Sequence, residues 1–275
     1  MTAGRPIVLV TGATDGLGRG LAHALAAGDA TVLLHGRDPA RLTATRDEIA
    51  AATGSDRLRT YRADLASLSA VRALADEVLA AEPRLDVLVN NAGIGTTVPG
   101  GEQRQESADG FELRFAVNYL SGYLLTRRLL GLLRDSAPAR IVNVSSAGQA
   151  AIDFDDVMLE HGYSGVRAYC QSKLAQILFT FTLAEELAGS GVTATCLHPA
   201  TYMPTKIVPS PISTLQEGVD ATLRLAVAPQ LEGVSGVYFN VQREAEPDPQ
   251  ARDPDARRRL EELSASLTGF VTSKP

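Results

Sequence analysis

The stretch Pro6-Ile-Val-Leu-Val-Thr11-Gly12-Ala-Thr-Asp-Gly16-Leu-Gly18 decides the fold of this chain. An apolar run of strand length meets three glycines within seven residues, and a helical pattern of leucines follows at once. Such a turn lets the backbone approach a pyrophosphate and directs N–H groups at it, with help from the helix dipole. The spacing Gly-x-x-x-Gly-x-Gly differs from the Gly-x-Gly-x-x-Gly fingerprint, so the turn alone leaves a simple tight connection open.

A second apolar run, residues 31–35, ends in Gly36-Arg37-Asp38, about 20 residues further along. In a doubly wound sheet this position faces the adenosine ribose of a bound dinucleotide. An acidic side chain here would bind a free 2′-hydroxyl, whereas the Arg37 guanidinium suits a 2′-phosphate. With Gly36 in place of a carboxylate, the sequence predicts that NADP(H) is preferred over NAD(H), and an unengaged surface arginine is the alternative.

The pentapeptide Tyr169-Cys-Gln-Ser-Lys173 carries candidate chemistry. Residues four apart share one helical face, so the Lys173 ammonium lies beside the Tyr169 phenol. A nearby cation in a partly desolvated cleft can lower the tyrosine pKa from ~10 by roughly 2–3 units. Tyr169 would then donate and accept protons at an oxygen. A surface tyrosine beside a solvated lysine is the alternative for these five residues taken alone.

Together these features resemble the short-chain dehydrogenase/reductase family, and the resemblance covers the whole chain. The matching motifs occur in the order and at the spacings of that family. They are the glycine-rich turn of residues 11–18, Asp64-Leu65, Asn90-Asn91-Ala92-Gly93, Asn118, Ser145-Ser146, and Tyr169 with Lys173.

The resemblance implies a role for each candidate site residue. Tyr169 would be the acid/base, and Ser146, chosen over Ser145, would be a second donor to the substrate oxygen. Lys173 would hold both the phenolate and the nicotinamide ribose. Asn118 lies among apolar neighbours, where asparagine is a poor helix former. By resemblance it breaks a helical hydrogen bond and holds a water of a proton relay, and a purely structural asparagine is the alternative.

The expected cofactor contacts come mainly from the turns that follow the first four strands. They are Gly12, Thr14, Asp15, Gly16, Leu17, Gly18, Arg37, Asp64, Leu65, Asn91, Ala92, Gly93, Tyr169, Lys173 and Tyr202. The chain departs from the family where many members have Pro-Gly, because it reads Pro199-Ala200 there. This departure leaves in doubt whether Thr205 reaches the nicotinamide amide. A long stretch between Ser146 and Tyr169, residues 152–163, resembles the retinol-dehydrogenase-like subgroup.

Apolar strand-like and helical segments alternate along all 275 residues, of which 45% are hydrophobic. This alternation predicts an α/β fold with a single-domain, doubly wound (Rossmann-type) sheet of about seven mainly parallel strands and helices on both faces. The domain is expected to span residues 1–275, with a substrate lid near 200–217 and a C-terminal helix near 254–268. The strands are expected near 6–11, 31–35, 57–62, 86–90, 140–145, 192–197 and 236–240.

Composition argues against several classes of function. The net charge is −6, and the one arginine triplet, residues 257–259, lies among acids, so no nucleic-acid binding is expected. No run approaches the ~20 apolar residues of a membrane span, and the N-terminus shows no signal-peptide pattern. Cys196 and His198 alternate on a strand and are interpreted as core and surface residues, so no metal site is predicted. We expect a cytoplasmic protein, and a homo-oligomer is left open.

These features predict an NADP(H)-dependent oxidoreductase that transfers hydride between nicotinamide and a carbonyl or alcohol substrate. Apolar residues of the expected lid, together with Met158 and Tyr163, indicate a lipophilic small-molecule substrate. The main alternative is a catalytically silent NADP-binding sensor or scaffold, although such a module needs no tuned tyrosine. Epimerisation or dehydration is a third reading, which the glycine spacing disfavours.

Overall fold

Helices cover both faces of one central sheet, so nearly every residue of its inner strands is buried. The computed structural model describes residues 5–96, 103–201, 203 and 212–270. The sheet has the strand order β3-β2-β1-β4-β5-β6-β7-β8, with seven parallel strands and an antiparallel β8. The strands are β1 (Ile7–Val10), β2 (Thr31–Gly36), β3 (Leu58–Arg62), β4 (Val87–Asn90), β5 (Ala139–Val144), β6 (Val192–His198), β7 (Val237–Asn240) and β8 (Arg243–Glu244).

Seven α-helices connect and cover these strands, and most begin at a side-chain cap. Asp15, Asp38, Ser67 and Ser164, for example, each accept a backbone N–H at the start of a helix. The helices are α1 (Gly16–Ala27), α2 (Pro39–Thr53), α3 (Leu68–Ala81), α4 (Ser121–Asp135), α5 (Gly165–Glu186), α6 (Leu215–Val227) and α7 (Pro254–Thr268). A π-helical segment, Phe115–Leu120, leads into α4.

Alternate residues of each strand face two separate core layers. In β1, Ile7 and Leu9 pack in the layer that contains α3, α4, α5 and α7, whereas Val8 and Val10 pack in the layer of α1, α2 and α6. Strands buried on both faces read as continuous apolar runs, as expected for a parallel sheet. The predicted α/β fold class is therefore confirmed. The sequence analysis missed only β8, which is two residues long.

Burial on both faces also corrects one interpretation of the sequence. Cys196 and His198 were expected to be core and surface residues, yet their exposed fractions are 0% and 8%. The His198 Nε2 atom lies 3.0 Å from the Thr201 Oγ1 atom. Residues two apart on a strand point to the same face of the sheet, and here helices cover both faces, so both side chains are buried.

Helix α7 lies where the sequence predicted a C-terminal helix and packs against α5. The Tyr119 hydroxyl is 2.7 Å from Ser264 Oγ of α7, and Arg127 of α4 is 2.8 Å from the Glu261 carboxylate. Among the described helices, none is both long and apolar enough to cross a membrane. Half of the expected lid, residues 202 and 204–211, lies outside the described residues.

The chain order reverses between β1 and β4, which are neighbours in the sheet. At such a switch point the loops after the two strands diverge and leave a crevice at the carboxyl edge of the sheet. The glycine-rich turn follows β1, and the loop Asn91–Gly93 follows β4. The fold therefore brings these two predicted cofactor segments to one place.

Candidate active site

The glycine-rich turn is bound directly to the loop after β4. Thr11 Oγ1 accepts hydrogen bonds from the backbone N–H groups of Asn91 (2.9 Å) and Ala92 (3.0 Å), and Asn91 Nδ2 donates to the Thr11 carbonyl (2.7 Å). A Cβ atom on Gly18 would stand 2.2 Å from the Gly12 carbonyl oxygen. The third glycine is therefore required for α1 to pack this closely on the turn.

The turn itself needs backbone conformations that favour glycine. Gly12 and Gly16 have φ angles of +68° and +47°. Asp15 caps α1 by accepting the N–H of Gly16 at 2.9 Å. The next two N–H groups of the first helical turn, at Leu17 and Gly18, have no carbonyl partner within the helix, whereas the Arg19 N–H bonds to the Asp15 carbonyl. They form the part of the turn suited to bind an anionic group such as a pyrophosphate.

His35, at the end of β2, supports the glycine-rich turn through its imidazole ring. It was not predicted from the sequence. Its Nδ1 atom accepts the Gly12 N–H at 3.2 Å, and its Nε2 atom lies 3.2 Å from the Ala63 carbonyl, to which it donates when Nδ1 is the acceptor. Burial lowers the pKa of His35 to about 4. A neutral imidazole therefore links the turn to the end of β3.

The end of β2 carries more positive charge than the single predicted arginine. Arg37 is exposed, and its carbonyl accepts a hydrogen bond from Arg62 Nε at 3.2 Å. Arg41, in the first turn of α2, donates to the Thr14 carbonyl (3.1 Å) and lies 3.1 Å from the Asp15 carboxylate. Arg41 could have been noticed from the sequence, because it follows Arg37 by four residues at a predicted helix start.

Asp64 and Leu65 follow β3, at the same edge of the sheet. The Asp64 carboxylate accepts the Ala66 N–H at 3.0 Å and is exposed, whereas Leu65 is buried. Both residues therefore lie at the carboxyl edge of the sheet, after the strand that pairs with β2, and their contact with a cofactor stays a prediction.

The two serines after β5 have different partners. Ser145 Oγ donates to the Lys173 carbonyl at 2.7 Å and so attaches α5 to the sheet. Ser146 Oγ accepts the Gly148 N–H at 3.0 Å and lies, like the Tyr169 ring, next to Gly148, where it acts to lower the pKa of the phenol. Of the two, Ser146 is thus the serine whose hydroxyl lies next to the phenol.

Lys173 is buried, with 4% of its surface exposed. Its Nζ atom donates to the Val144 carbonyl at 2.8 Å and to Gln176 Oε1 at 3.0 Å, and lies 5.7 Å from the centre of the Tyr169 ring. Burial lowers the pKa of Lys173 to about 7. Gln176, which the sequence analysis did not single out, is therefore a direct partner of the ammonium.

The pKa of Tyr169 differs from the prediction. The sequence argument expects Lys173 to lower it, whereas burial raises it in this structure, and the hydrogen bond from Ser146 opposes that rise. The reason is geometric, because the Lys173 ammonium is directed at Val144 and Gln176 rather than at the phenol oxygen. The i, i+4 spacing places the two residues on one face of the helix but does not fix the position of the ammonium.

Asn118 lies in the π-helical segment, where the Ser121 N–H bonds to the carbonyl of Ala116, five residues earlier. Its side chain accepts the Ile94 N–H (2.7 Å) and donates to the Ile94 carbonyl (3.1 Å) and to Ser172 Oγ (2.9 Å). Asn118 therefore joins the loop after β4 to α5. The helical hydrogen-bond pattern is interrupted in this segment.

Gly93 adjoins both Asn118 and Lys173. A Cβ atom built on Gly93 would lie 3.3 Å from Asn118 Oδ1 and 3.5 Å from Lys173 Nζ. A side chain here would crowd both groups, so glycine lets the loop after β4 pass close to Lys173. An ammonium beside an exposed stretch of backbone is a donor of the kind that suits a ribose hydroxyl.

Two further residues hold the backbone of Ser146, and no sequence motif marks them. The Tyr238 hydroxyl and Gln149 Nε2 each donate to the Ser146 carbonyl at 3.1 Å. Gln149 Oε1 in turn accepts the Asp248 N–H at 2.7 Å. The segment after β8 thus supports the loop that carries Ser146.

The predicted apolar pocket is corrected at Tyr163. Its hydroxyl accepts a hydrogen bond from Arg114 Nη1 (2.6 Å) and donates to Glu112 Oε1 (3.2 Å), so this end of the side chain is polar. Met158 packs against the core layer of α3, α4 and α5, as its apolar side chain suggests. Tyr202, expected to contact the cofactor, lies outside the described residues.

Known proteins share this fold and these motifs. The profile of the short chain dehydrogenase family matches residues 6–213. Mouse retinol dehydrogenase 13 is 40% identical over 285 residues, covering 96% of this chain and 84% of that protein. Human retinol dehydrogenase 14 is 40% identical over 295 residues, covering 96% and 86%.

Solved structures also resemble this chain in fold. A crystal structure of an uncharacterised protein from Mycobacterium paratuberculosis superposes with a TM-score of 0.79 at 29% identity, covering 96% of this chain and 93% of that one. A Shigella flexneri short chain dehydrogenase complexed with NADP gives 0.69 at 26% identity, with coverages of 86% and 97%. The 3-ketoacyl-(acyl-carrier-protein) reductase of Brucella melitensis complexed with NADH gives 0.67 at 25%, with 86% and 96%.

The family profile spans most of the chain, and the relatives align with nearly all of it. The family binds nicotinamide cofactors and oxidises alcohols or reduces carbonyl groups. This chain therefore belongs to the short-chain dehydrogenase family, in its retinol-dehydrogenase-like branch, and is an alcohol or carbonyl oxidoreductase that uses a nicotinamide cofactor.

Proposed function

We propose that this protein is an NADP(H)-dependent oxidoreductase that interconverts a lipophilic carbonyl compound and its alcohol, with Tyr169 as the acid/base. The observation that carries the proposal is the grouping of three side chains. The Ser146 hydroxyl and the Tyr169 ring both lie next to Gly148, and Lys173 Nζ lies 5.7 Å from the centre of that ring. Lys173 Nζ in turn lies next to Gly93 of the loop after β4. A phenol, a second hydroxyl donor and a buried cation are the groups that a carbonyl reduction needs.

Bound nicotinamide supplies or accepts the hydride. In the reductive direction the carbonyl carbon gains hydride and its oxygen becomes an alkoxide, which takes the hydroxyl proton of Tyr169. In the oxidative direction the Tyr169 phenolate removes the proton of the alcohol. Ser146 donates a hydrogen bond to the same oxygen and stabilises its negative charge. Lys173 Nζ lies 5.7 Å from the centre of the Tyr169 ring, and its remaining N–H suits a ribose hydroxyl.

The roles of the remaining residues follow from their positions. The first turn of α1, including Leu17, would bind the pyrophosphate through backbone N–H groups. Asn91, Ala92 and Gly93 would line the nicotinamide side. Asn118 would hold Gly93 and the following residues at a fixed distance from Lys173. As in the family, it would also bind a water of the proton relay.

Two arginines at the end of β2 support the preference for NADP(H). Arg37 is exposed after Gly36, and Arg41 lies against Thr14 in the glycine-rich turn. A 2′-phosphate is a dianion near neutral pH and binds best where guanidinium groups can donate to it. The Asp15 carboxylate is negatively charged and would repel a 2′-phosphate in this region. Its proximity to Arg41 offsets part of that repulsion.

A lipophilic substrate is supported by the relatives and by two exposed side chains. Two relatives are retinol dehydrogenases by name, and retinol is a long apolar alcohol. Val166, three residues before Tyr169, is 59% exposed, and Ile212, in the expected lid, is 73% exposed. Val166 lies one helical turn from Tyr169 on α5, so an apolar ligand bound beside Tyr169 would be able to cover it.

A substrate and cofactor screen tests the proposal. Purified protein is assayed with NADPH and NADH against aldehydes and ketones of increasing chain length, and with the oxidised cofactors against the matching alcohols. We expect kcat/KM to rise with chain length and to be larger with NADPH. Tight NADPH binding without turnover on any substrate would instead favour a silent binding module.

A further inference from the structure

Arg114, which is 0% exposed, is among the largest fully buried side chains of the described residues. Its guanidinium donates in three directions. Nε donates to the Gly95 carbonyl at 2.9 Å, Nη2 to the Thr96 carbonyl at 3.1 Å, and Nη1 to the Tyr163 hydroxyl at 2.6 Å. One side chain therefore connects the loop after β4 with the long segment that precedes α5.

Glu112 completes this group of polar side chains. Its Oε1 atom accepts the Tyr163 hydroxyl at 3.2 Å and lies 3.8 Å from Arg114 Nη1, and its Oε2 atom accepts the Phe115 N–H at 2.7 Å. Glu112 is 1% exposed, so a buried carboxylate faces the buried guanidinium. Buried opposite charges keep their pairing because removing one partner leaves the other uncompensated.

Arg114 and Asn118 act on the same loop from one face of the chain. They are four residues apart, in and just before the π-helical segment, so their side chains point to a common side. Asn118 holds both backbone polar groups of Ile94, and Arg114 holds the carbonyls of Gly95 and Thr96. Three consecutive residues of the loop are thus fixed by two side chains.

The loop and the long segment both adjoin the reaction site. Gly93 precedes the fixed residues and lies next to Lys173 Nζ. Tyr163 ends the segment 152–163, two residues before α5, the helix that carries Tyr169. A change in the distance between Thr96 and Tyr163 would therefore act on the loop that contains Gly93 and on the start of the helix that carries Tyr169.

The segment 152–163 is also held by hydrogen bonds at other points, so it can form a rigid boundary of the site. Gln250 pairs with both backbone groups of Ile152, accepting at 2.7 Å and donating at 3.1 Å. Gln171 Nε2 donates to the Val157 carbonyl at 2.6 Å. Tyr163 is the residue through which this segment contacts Arg114.

We propose that Arg114, Glu112 and Tyr163 form a latch that sets the width of the substrate opening. Their role is to position the loop 93–96 against the segment 152–163 rather than to contact the reacting atoms. The latch rests on the proposed function, because it assigns these residues to substrate binding at that same site. It predicts that loosening the latch weakens substrate binding more than it slows the chemical step.

The sharpest test is Tyr163→Phe, which removes one hydroxyl and keeps the ring. Tyr61→Phe is the matched control, because the Tyr61 hydroxyl also donates to a buried carboxylate, Glu82, from a strand at the edge of the sheet. For Tyr163→Phe we expect KM for the carbonyl substrate to rise about three- to tenfold, with kcat and the NADPH dissociation constant changed by less than about twofold. Tyr61→Phe should keep the kinetics of the wild type.

Hydrogen exchange provides a readout that needs no turnover. In the free protein, amides of residues 93–96 should exchange faster in Tyr163→Phe than in the wild type or in Tyr61→Phe. Unchanged KM together with unchanged exchange would overturn the latch, and so would equal effects in both variants. A wild type without activity would contradict the proposed function, and the exchange comparison alone would then decide for or against the latch.

Discussion

Burial shifts the pKa values of Tyr169 and Lys173 in opposite directions. Burial raises the pKa of Tyr169 and lowers that of Lys173 to about 7, because burial penalises the charged form of each group. The hydrogen bond from Ser146 lowers the pKa of Tyr169 and so favours the phenolate. Ser146 therefore has two functions in this account, as a donor to the substrate oxygen and as a partner of the acid/base.

His35 yields a prediction about stability. Its pKa is about 4 in the folded protein and ~6.5 in an unfolded chain, so between these values the unfolded state binds more protons. The free energy of unfolding should fall as the pH drops from ~6.5 to ~4, by up to about 3 kcal/mol from this group. In His35→Asn, whose amide does not titrate, urea unfolding at pH 7 and pH 5 should show a smaller loss.

The control for that comparison is His23→Asn, because His23 is exposed on α1. It should lose as much stability between pH 7 and pH 5 as the wild type. If His35→Asn behaved like His23→Asn, the buried neutral imidazole would not be the source of the pH dependence.

The residues that we propose to touch the reacting atoms were predictable from sequence, and the residues that support them were not. Ser146 and Lys173 follow from motif spacing, because the reaction restricts both residue type and separation. Gln176 and His35 make contacts that depend on how α5 and β2 pack, and many other residues could fill such positions. Nothing in the local pattern distinguishes a supporting glutamine from any other buried polar residue.

At the scale of elements, periodicity predicted each of the seven parallel strands to within two residues. It failed at β8, which is too short to show alternation, and at the π-helical segment. Hydrogen bonds in a π-helical segment join residues five apart, compared with four in an α-helix. The sequence of Phe115–Leu120 is apolar enough to form either kind of helix. Its presence depends on the contacts of Asn118 with Ile94 and Ser172.

The junction of β2 and α2 carries the prediction on cofactor choice. Replacing Arg37 or Arg41 by alanine should weaken NADPH binding by about 1.5–3 kcal/mol, the range for a lost charge-assisted hydrogen bond. NADH binding should change little, because it lacks the 2′-phosphate. Dissociation constants of both cofactors, measured by calorimetry for each variant, check this expectation.

Arg46→Ala is the matched control, since Arg46 lies on the same helix and pairs with Asp47 at 2.7 Å. It should leave both dissociation constants close to those of the wild type. Equal weakening of NADPH and NADH by Arg37→Ala would remove that residue from the phosphate site, and the same outcome for Arg41→Ala would limit Arg41 to supporting Thr14.

For the whole molecule, the sheet determines where chemistry can occur. Two core layers fix the strands, and the strand order β2-β1-β4-β5 brings four carboxyl ends together at the switch point. The glycine-rich turn, Gly93 and Ser146 each follow a different one of these strands. Helix α5 then crosses this edge and brings Tyr169 and Lys173 to the same place.

The most direct test of the central claim is the variant Tyr169→Phe, measured for NADPH affinity and for turnover on the best substrate of the screen. Removing the phenolic oxygen should keep the ring packing, so the dissociation constant should stay within a few-fold of the wild type. Turnover should fall by at least ~10²-fold, the usual effect of losing an acid/base group. Turnover close to that of the wild type would contradict the assignment of Tyr169 as the proton donor.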